Sequence, residues 1–244
     1  MRLRSLLAAA ATFALTATAA FPDVTVPPVT YPALAARGAN AAAFVPAGWK
    51  LESSASGDLN GDGRADLAIV LRGANRRNIV ANPDGLGQNP FDTNPRILAV
   101  LFGQATGGYR LALENHTLIP RPDNPVASDF LEDGGVKIER GVLKVTMSFF
   151  LSAGGWGTAA RTYTFRWQNS RFELIGFDKR DLQRNTGEMV STSINYSTRK
   201  VRIGKSTMEN DSAERVTWRI LPAGPLLSLA AIGDGIEFEP AIGR

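Results

Sequence analysis

The sequence predicts an all-β domain with little helix, built mainly from antiparallel hairpins that form a sandwich or an open, barrel-like sheet. Two observations support this fold class. Several pairs of short segments rich in β-branched and aromatic residues are each joined by a short polar turn, which is the pattern of β-hairpins. In addition, no long segment downstream of the N-terminal region shows the apolar period of an amphipathic helix.

Residues 1–19 have the composition of a secretory signal peptide. Two basic residues, Arg2 and Arg4, precede an apolar run at residues 6–17 that is too short to cross a bilayer as a helix. Small residues then stand at both recognition positions of a cleavage site that ends at Ala19. We therefore expect a periplasmic or secreted mature protein with no transmembrane segment.

The remainder divides into two parts. Residues 20–43 are rich in Pro, Ala, Val and Thr without a sustained period, which predicts a linker or an N-terminal segment lying across the domain surface. Residues 44–244 are long enough for one β-rich domain with a sizeable core.

Charge and cysteine content restrict the function. The chain carries 27 basic and 23 acidic residues, one histidine and no cysteine. Because two basic residues leave with the signal peptide, the mature domain is close to neutral, and we expect no nucleic-acid partner. A lone histidine without cysteine excludes the usual zinc sites. An exported domain without disulfides needs a large core or a bound metal for its stability.

The strands are predicted in the following order. Residues 67–72 have the β-branched content of a buried strand. Residues 76–95 are rich in Asn, Asp, Gly and Pro and predict a long exposed loop, and residues 178–183 predict a turn of helix. Aromatic and polar side chains alternate along residues 161–167, which predicts one buried sheet face. The hairpins are predicted at residues 96–102 with 109–114, 136–139 with 142–150, 161–167 with 172–177, and 192–196 with 200–203.

An acidic loop at residues 58–66 is the strongest functional signal. Gly63 stands at position 6 of this loop, where a chain that wraps a cation turns sharply. Oxygen donors at four positions of so short a loop suit Ca²⁺, and clustered carboxylates repel one another without a cation. The loop therefore predicts Ca²⁺ as a cofactor, with a metal-free turn as the alternative. The side-chain donors at positions 1, 3, 5 and 9 are Asp58, Asn60, Asp62 and Asp66.

The residues around the loop distinguish between calcium-binding families. An EF-hand needs a Glu at position 12 and flanking helices, but position 12 is Ile69 and a strand-like run surrounds it. A dockerin-type site needs a second copy and a following helix, and neither is present. The segment Asp58-x-Asn60-x-Asp62-Gly63-x-x-Asp66, followed directly by an apolar strand, resembles the calcium loop of FG-GAP (VCBS, integrin-α-like) repeats.

The resemblance implies a ligand set. Asp58, Asn60, Asp62 and Asp66 would bind Ca²⁺ through their side chains, and Arg64 through its backbone carbonyl. The chain carries one copy without a repeat period, so we do not expect a full propeller. One early loop followed by β-hairpins is also the layout of small exported bacterial proteins.

No catalytic constellation is visible, and we expect no catalytic residues and no enzymatic activity. The only histidine, His116, has no Gly-x-Ser-x-Gly element to work with and is interpreted as a surface residue. Trp156, flanked by glycines, is either exposed to stack on a ligand or folded back over the core; we favour the second. Scattered carboxylates that hydrolysis would need stand at Glu132, Asp133, Glu173, Asp178 and Asp181.

These observations predict an exported, non-enzymatic calcium-binding β domain that acts as a binding or envelope-associated module, with a protein or a glycan as its partner. The alternative is a carboxylate-dependent hydrolase that acts on polysaccharide or peptidoglycan.

Overall fold

The computed structural model describes residues 24–242, so the predicted signal peptide lies outside the described residues. These residues form antiparallel β-sheets, and the all-β prediction is confirmed. No helix in the described part of the chain is long and apolar enough to cross a membrane. Within residues 24–242, three short 3-10 helices span Ala41–Phe44, Arg76–Asn78 and Leu229–Ala231. The strands are β1 (Arg37–Gly38), β2 (Trp49–Gly57), β3 (Asp66–Gly73), β4 (Ile79–Val80), β5 (Phe91–Asp92), β6 (Arg96–Gly103), β7 (Tyr109–Asn115), β8 (Gly135–Glu139), β9 (Val142–Phe150), β10 (Gly157–Gln168), β11 (Arg171–Gln183), β12 (Glu188–Asn195), β13 (Lys200–Thr207) and β14 (Asn210–Ile220).

Two sheets enclose a common core. The first has five strands in the order β1-β7-β6-β3-β2, and the second has seven in the order β14-β13-β12-β11-β10-β9-β8. Strands β4 and β5 form a separate ribbon. Because neighbours in the second sheet are also neighbours in sequence, its hairpins match the predicted ones closely. Strand β2 lies beside β8, so the sheets meet along one edge.

The central strands of the first sheet, β3 and β6, are buried on both faces, which explains why they are almost continuously apolar. Successive residues of β3 point to opposite faces. Ala68 and Val70 therefore pack in the core shared with the second sheet, whereas Ile69 and Leu71 pack in a smaller core with Phe44. Burial on two sides gives the loop before β3 a rigid support.

The N-terminal part of the described chain covers this smaller core. Leu34 is buried within it, and the ring of Tyr31 packs against it. The Tyr31 ring also stacks on His116, with centroids 4.0 Å apart. Arg121 donates hydrogen bonds to the carbonyl oxygen of Pro27 and to that of Thr93. Residues 24–36 are therefore fixed along the surface of the first sheet.

The second sheet has one apolar face and one polar face. Tyr163, Phe165 and Phe177 are fully buried on the inner face, as the alternation along residues 161–167 predicts. The C-terminal segment crosses part of this face. The hydroxyl of Tyr163 donates to the carbonyl oxygen of Gly235 at 2.7 Å, and Phe238 packs edge-on against Phe177.

Several local predictions are wrong. Residues 178–183 are the end of β11, where hydrogen bonds to β10 and β12 on both sides override the local preference for a turn. Residues 76–95 are not exposed throughout, because Phe91, Thr93 and Asn94 are buried. The Asn94 amide oxygen accepts hydrogen bonds from the backbone N–H of Asn75 and the side chain of Asn78. Side-chain hydrogen bonds therefore hold this segment in place of the backbone pairing of a sheet. Strands β2 and β14 were not predicted from the sequence.

Candidate metal centre

The acidic loop joins β2 to β3. Gly57 pairs with Asp66 at the mouth of this hairpin. Gly63 has a φ of 78°, a left-handed conformation that favours glycine, as the sharp turn predicts. The side chain of Leu59 is buried in the main core and anchors the start of the loop.

The three outer donors turn their oxygens towards backbone N–H groups of the loop. Asp58 accepts hydrogen bonds from the N–H groups of Gly61 and Gly63, at 2.7 and 2.9 Å. These bonds hold the pKa of Asp58 below its ordinary value, and the bond from Gly63 has the largest effect. Asn60 and Asp62 each accept from the N–H two residues further along, at 3.0 and 2.9 Å. The loop is thus a series of Asx turns.

Asp66 differs from the other donors because it is fully buried. One of its oxygens accepts from the N–H of Leu59 at 2.8 Å, and the other from the N–H of Gly103 at 2.9 Å. Burial raises the pKa of Asp66, and the negative charges of Asp62 and Asp58 add to the shift. Asp66 ties the loop to the β6–β7 hairpin.

Arg64 closes the loop from outside. Its guanidinium forms an ion pair with Asp62, and its Nε donates to the carbonyl oxygen of Gly103 at 3.2 Å. The side chain is 43% exposed. A positive charge thus lies beside a carboxylate that the FG-GAP resemblance assigns to Ca²⁺.

The donor set fits a hard cation, since it consists of carboxylate, amide and backbone oxygens on one short turn. Among residues 24–242, no three acidic or histidine side chains converge as a ready-made metal cluster. The loop carboxylates are instead directed at separate backbone N–H groups. Each carboxylate oxygen can accept more than one interaction, so these hydrogen bonds leave acceptor capacity for a cation.

A second cluster of charges, which was not predicted from the sequence, closes one end of the core between the sheets. Arg72 and Arg96 are direct neighbours across β3 and β6. Glu52 is the extra residue of a bulge in β2, which turns its carboxylate towards them. Arg96 is bidentate to Glu52, with contacts of 2.6 and 2.8 Å, and donates to Asp129 at 2.7 Å. Arg72 contacts Glu52, Asp129 and Asp92.

The arginines keep this cluster ionised. Burial by itself raises the pKa of Asp129, but hydrogen bonds from Arg96 and the N–H of Leu131, with the charges of Arg96 and Arg72, hold it below its ordinary value. Charged residues inside the apolar strands β3 and β6 were the available sequence signal, because buried charges need partners. The cluster joins β2, β3, β6 and the β7–β8 connection.

The other predicted candidates do not form a common site. Glu173 is buried near the start of β11, where it accepts hydrogen bonds from Gln168, Asn169 and Arg171. Asp181 pairs with Arg161, whereas Asp178 is exposed on the opposite face of β11. Glu132 and Asp133 lie in the turn before β8.

His116 and Trp156 do not belong to a common site with these carboxylates either. Nε2 of His116 lies 2.8 Å from Glu114, and its ring stacks on Tyr31. The expectation that Trp156 folds back over the core is wrong, since it is 60% exposed. Arg184 stabilises this loop by donating to the carbonyl oxygens of Leu151 and Gly155.

Comparison with protein families supports the resemblance of this segment to an FG-GAP repeat. Residues 51–70 match the family description of the FG-GAP repeat, which here covers most of β2, the acidic loop and the first half of β3. Comparisons with curated proteins and with solved structures gave no match. The match to one segment agrees with the single copy predicted from the sequence.

Proposed function

We propose, from the FG-GAP repeat at residues 51–70, that this protein is an exported, calcium-stabilised β domain that acts as a binding or envelope-associated module and not as an enzyme. The observation that carries the proposal is the acidic loop at residues 58–66, which presents oxygen donors and is anchored to the domain at both ends. Leu59 and Asp66 anchor the loop in the protein interior, while Asp58 and Asp62 remain accessible to solvent.

Binding at this loop would contribute directly to stability. Bound Ca²⁺ supplies two positive charges and accepts six to eight oxygen ligands. Asp58, Asn60 and Asp62 would contribute side-chain oxygens, Arg64 its carbonyl oxygen, and Asp66 the buried end of the site. Because the unfolded chain lacks this arrangement, the free energy of binding adds to the free energy of unfolding.

The pairing of the carboxylates supports a non-enzymatic role. Glycoside hydrolysis needs one carboxyl group as a proton donor and a second free carboxylate. Glu52 and Asp129 share the buried Arg96, and Glu173 accepts three side-chain hydrogen bonds. A carboxylate held ionised by arginine is a poor proton donor near neutral pH.

Thermal unfolding of the mature protein tests the metal site. With a dissociation constant of about 10⁻⁴ M, typical of extracellular modules, 10 mM Ca²⁺ is expected to raise the melting temperature by about 5 °C or more over EDTA, and Mg²⁺ by much less. Asp62→Ala should abolish the shift. Asp84→Ala, an exposed Asp outside the loop, should retain it. No shift in the wild type, or an equal shift in Asp62→Ala, would contradict the assignment.

Arg64→Ala provides an independent test of the same site. The substitution keeps the backbone carbonyl and removes the guanidinium that pairs with Asp62. Removal of this competing charge is expected to tighten Ca²⁺ binding roughly two- to five-fold, the range given by exposed ion pairs. Calorimetric titration of both proteins at low salt measures the effect. Weaker binding in the variant would mean that Arg64 organises the donors.

A further inference from the structure

The outer face of the second sheet contains a groove of about 610 Å³ that the proposed metal site does not involve. It is lined mainly by residues of β10 to β14 that point away from the core. The inner positions on the same strands, such as Tyr163, Phe177 and Val201, are fully buried. The polar side chains on the groove face include Thr162, Asp178, Arg180, Ser191, Arg202 and Glu214.

Hydrogen bonds order the centre of the groove. One carboxylate oxygen of Glu214 accepts from the hydroxyl of Ser191 at 2.9 Å and from Arg202 at 3.1 Å, and the other pairs with Arg202. Gly204 makes room for this arrangement, because a Cβ there would collide with Glu214 and Ser191. Polar groups fixed in this way resemble the few convergent groups that orient a ligand in a binding site.

The charges of the groove balance. Two guanidinium groups, of Arg180 and Arg202, face two carboxylates, of Asp178 and Glu214. Lys179 also lines the groove, but its ammonium group pairs with Asp181 and Glu239. Hydrogen bonds from Arg202 and Ser191, with the charges of Arg202 and Arg180, hold the pKa of Glu214 below its ordinary value. A charged ligand would be attracted by the two groups of opposite charge and repelled by the two groups of like charge. A neutral ligand with many hydroxyl groups can donate to the carboxylates and accept from the guanidinium groups.

An exposed aromatic ring borders the groove. Trp218 lies directly across from Arg202 in the β13–β14 pair, on the same face of the sheet, and is 63% exposed. An exposed Trp offers an apolar ring face for stacking as well as a hydrogen-bond donor. Its neighbours on that face, Val216 and Ile220, are exposed too. The groove therefore joins hydroxyl-binding groups to a stacking surface.

We propose that this groove binds a neutral saccharide chain, with the pyranose ring stacked on Trp218 and its hydroxyl groups bound by Arg202 and Glu214. This inference rests on the proposed function of a binding module and names its ligand class and surface. The groove volume lies within the range of small-molecule sites, and an open groove on a sheet suits an extended chain.

The test uses the mature protein and a panel of neutral hexasaccharides: maltohexaose, cellohexaose, laminarihexaose and xylohexaose. Binding is followed by tryptophan fluorescence and by calorimetry, with calcium and with EDTA. Trp218→Ala is expected to weaken binding about five- to ten-fold, and Glu214→Gln about ten-fold or more. Trp156→Ala is the matched control, because Trp156 is equally exposed but lies outside the groove, and it should bind as the wild type does.

Three outcomes would overturn the groove assignment. The first is that no member of the panel binds at millimolar concentration, and the second is that Trp218→Ala and Glu214→Gln bind as tightly as the wild type. The third is a dimer, detected by light scattering, that Trp218→Ala dissociates. The last would make β14 an edge that pairs with a second copy. Melting curves from the same samples separate the two proposals. If Ca²⁺ raises the melting temperature but no saccharide binds, only the groove assignment is refuted. If the wild type binds a saccharide, Trp218→Ala does not, and Ca²⁺ leaves the melting temperature unchanged, only the metal site is refuted.

Discussion

Arg96→Met is expected to lower the free energy of unfolding by about 3 kcal/mol, the lower end of the cost of breaking a buried ion pair, because Glu52 and Asp129 lose their buried partner and keep only Arg72. The side chain of Arg96 is 1% exposed, and its three contacts with Glu52 and Asp129 are all short. Methionine fills a similar volume, so the loss comes mainly from the charges and not from a cavity. Urea unfolding at pH 7 measures the effect.

The same variant has a characteristic pH dependence. Arg96 holds the pKa of Asp129 below its unfolded value, which is near 4. The stability that this interaction contributes is therefore fully present above about pH 4 and is lost as the pH falls through the lower folded value. The difference between wild type and Arg96→Met should shrink in acid.

A surface ion pair provides the control for Arg96. Lys144 pairs with Glu139 on exposed parts of β9 and β8, so Lys144→Met is expected to change stability within the error of the measurement. Equal effects of the two substitutions, or a deficit in Arg96→Met that is independent of pH, would contradict the role given to the charge cluster.

Asp66→Ala is expected to lower the free energy of unfolding by about 2–5 kcal/mol even in EDTA. The substitution leaves the N–H groups of Leu59 and Gly103 without acceptors at a fully buried position, and each such loss costs about 1–3 kcal/mol. The effect is structural and precedes any role in metal binding. Thermal and urea unfolding in EDTA measure it.

Asp58→Ala is the matched comparison, because Asp58 also accepts two backbone N–H groups but lies at the surface of the loop, where water can replace it. In EDTA its stability should stay closer to wild type than that of Asp66→Ala. In Ca²⁺ both variants should lose the calcium-dependent shift. If Asp66→Ala is as stable as the wild type in EDTA, the anchoring role of Asp66 is wrong.

The sequence was most informative where structure depends on neighbours in the chain. The β8–β9, β10–β11 and β12–β13 hairpins follow from apolar alternation and short polar turns, and their partners lie a few residues apart. The acidic loop is also local, so its spacing and its Gly63 could be interpreted directly. Strand β14 was missed because it is an edge strand whose first half, residues 210–215, is mostly polar and charged.

The tertiary structure decided how distant charges and faces are paired. Glu52 and Arg96 are separated by 44 positions and Arg96 and Asp129 by 33, so no local pattern could reveal that one buried guanidinium joins both carboxylates. Alternation likewise indicates that a strand has two faces, but not which segment covers each.

By itself, therefore, the sequence determined the all-β class, the FG-GAP loop and the order of the hairpins, because these depend on residue type and short spacing. Only the fold decided that Asp66 is a buried anchor while Asp62 is accessible, and that Trp218 borders a polar groove. Burial and charge pairing depend on residues that come together from distant parts of the chain.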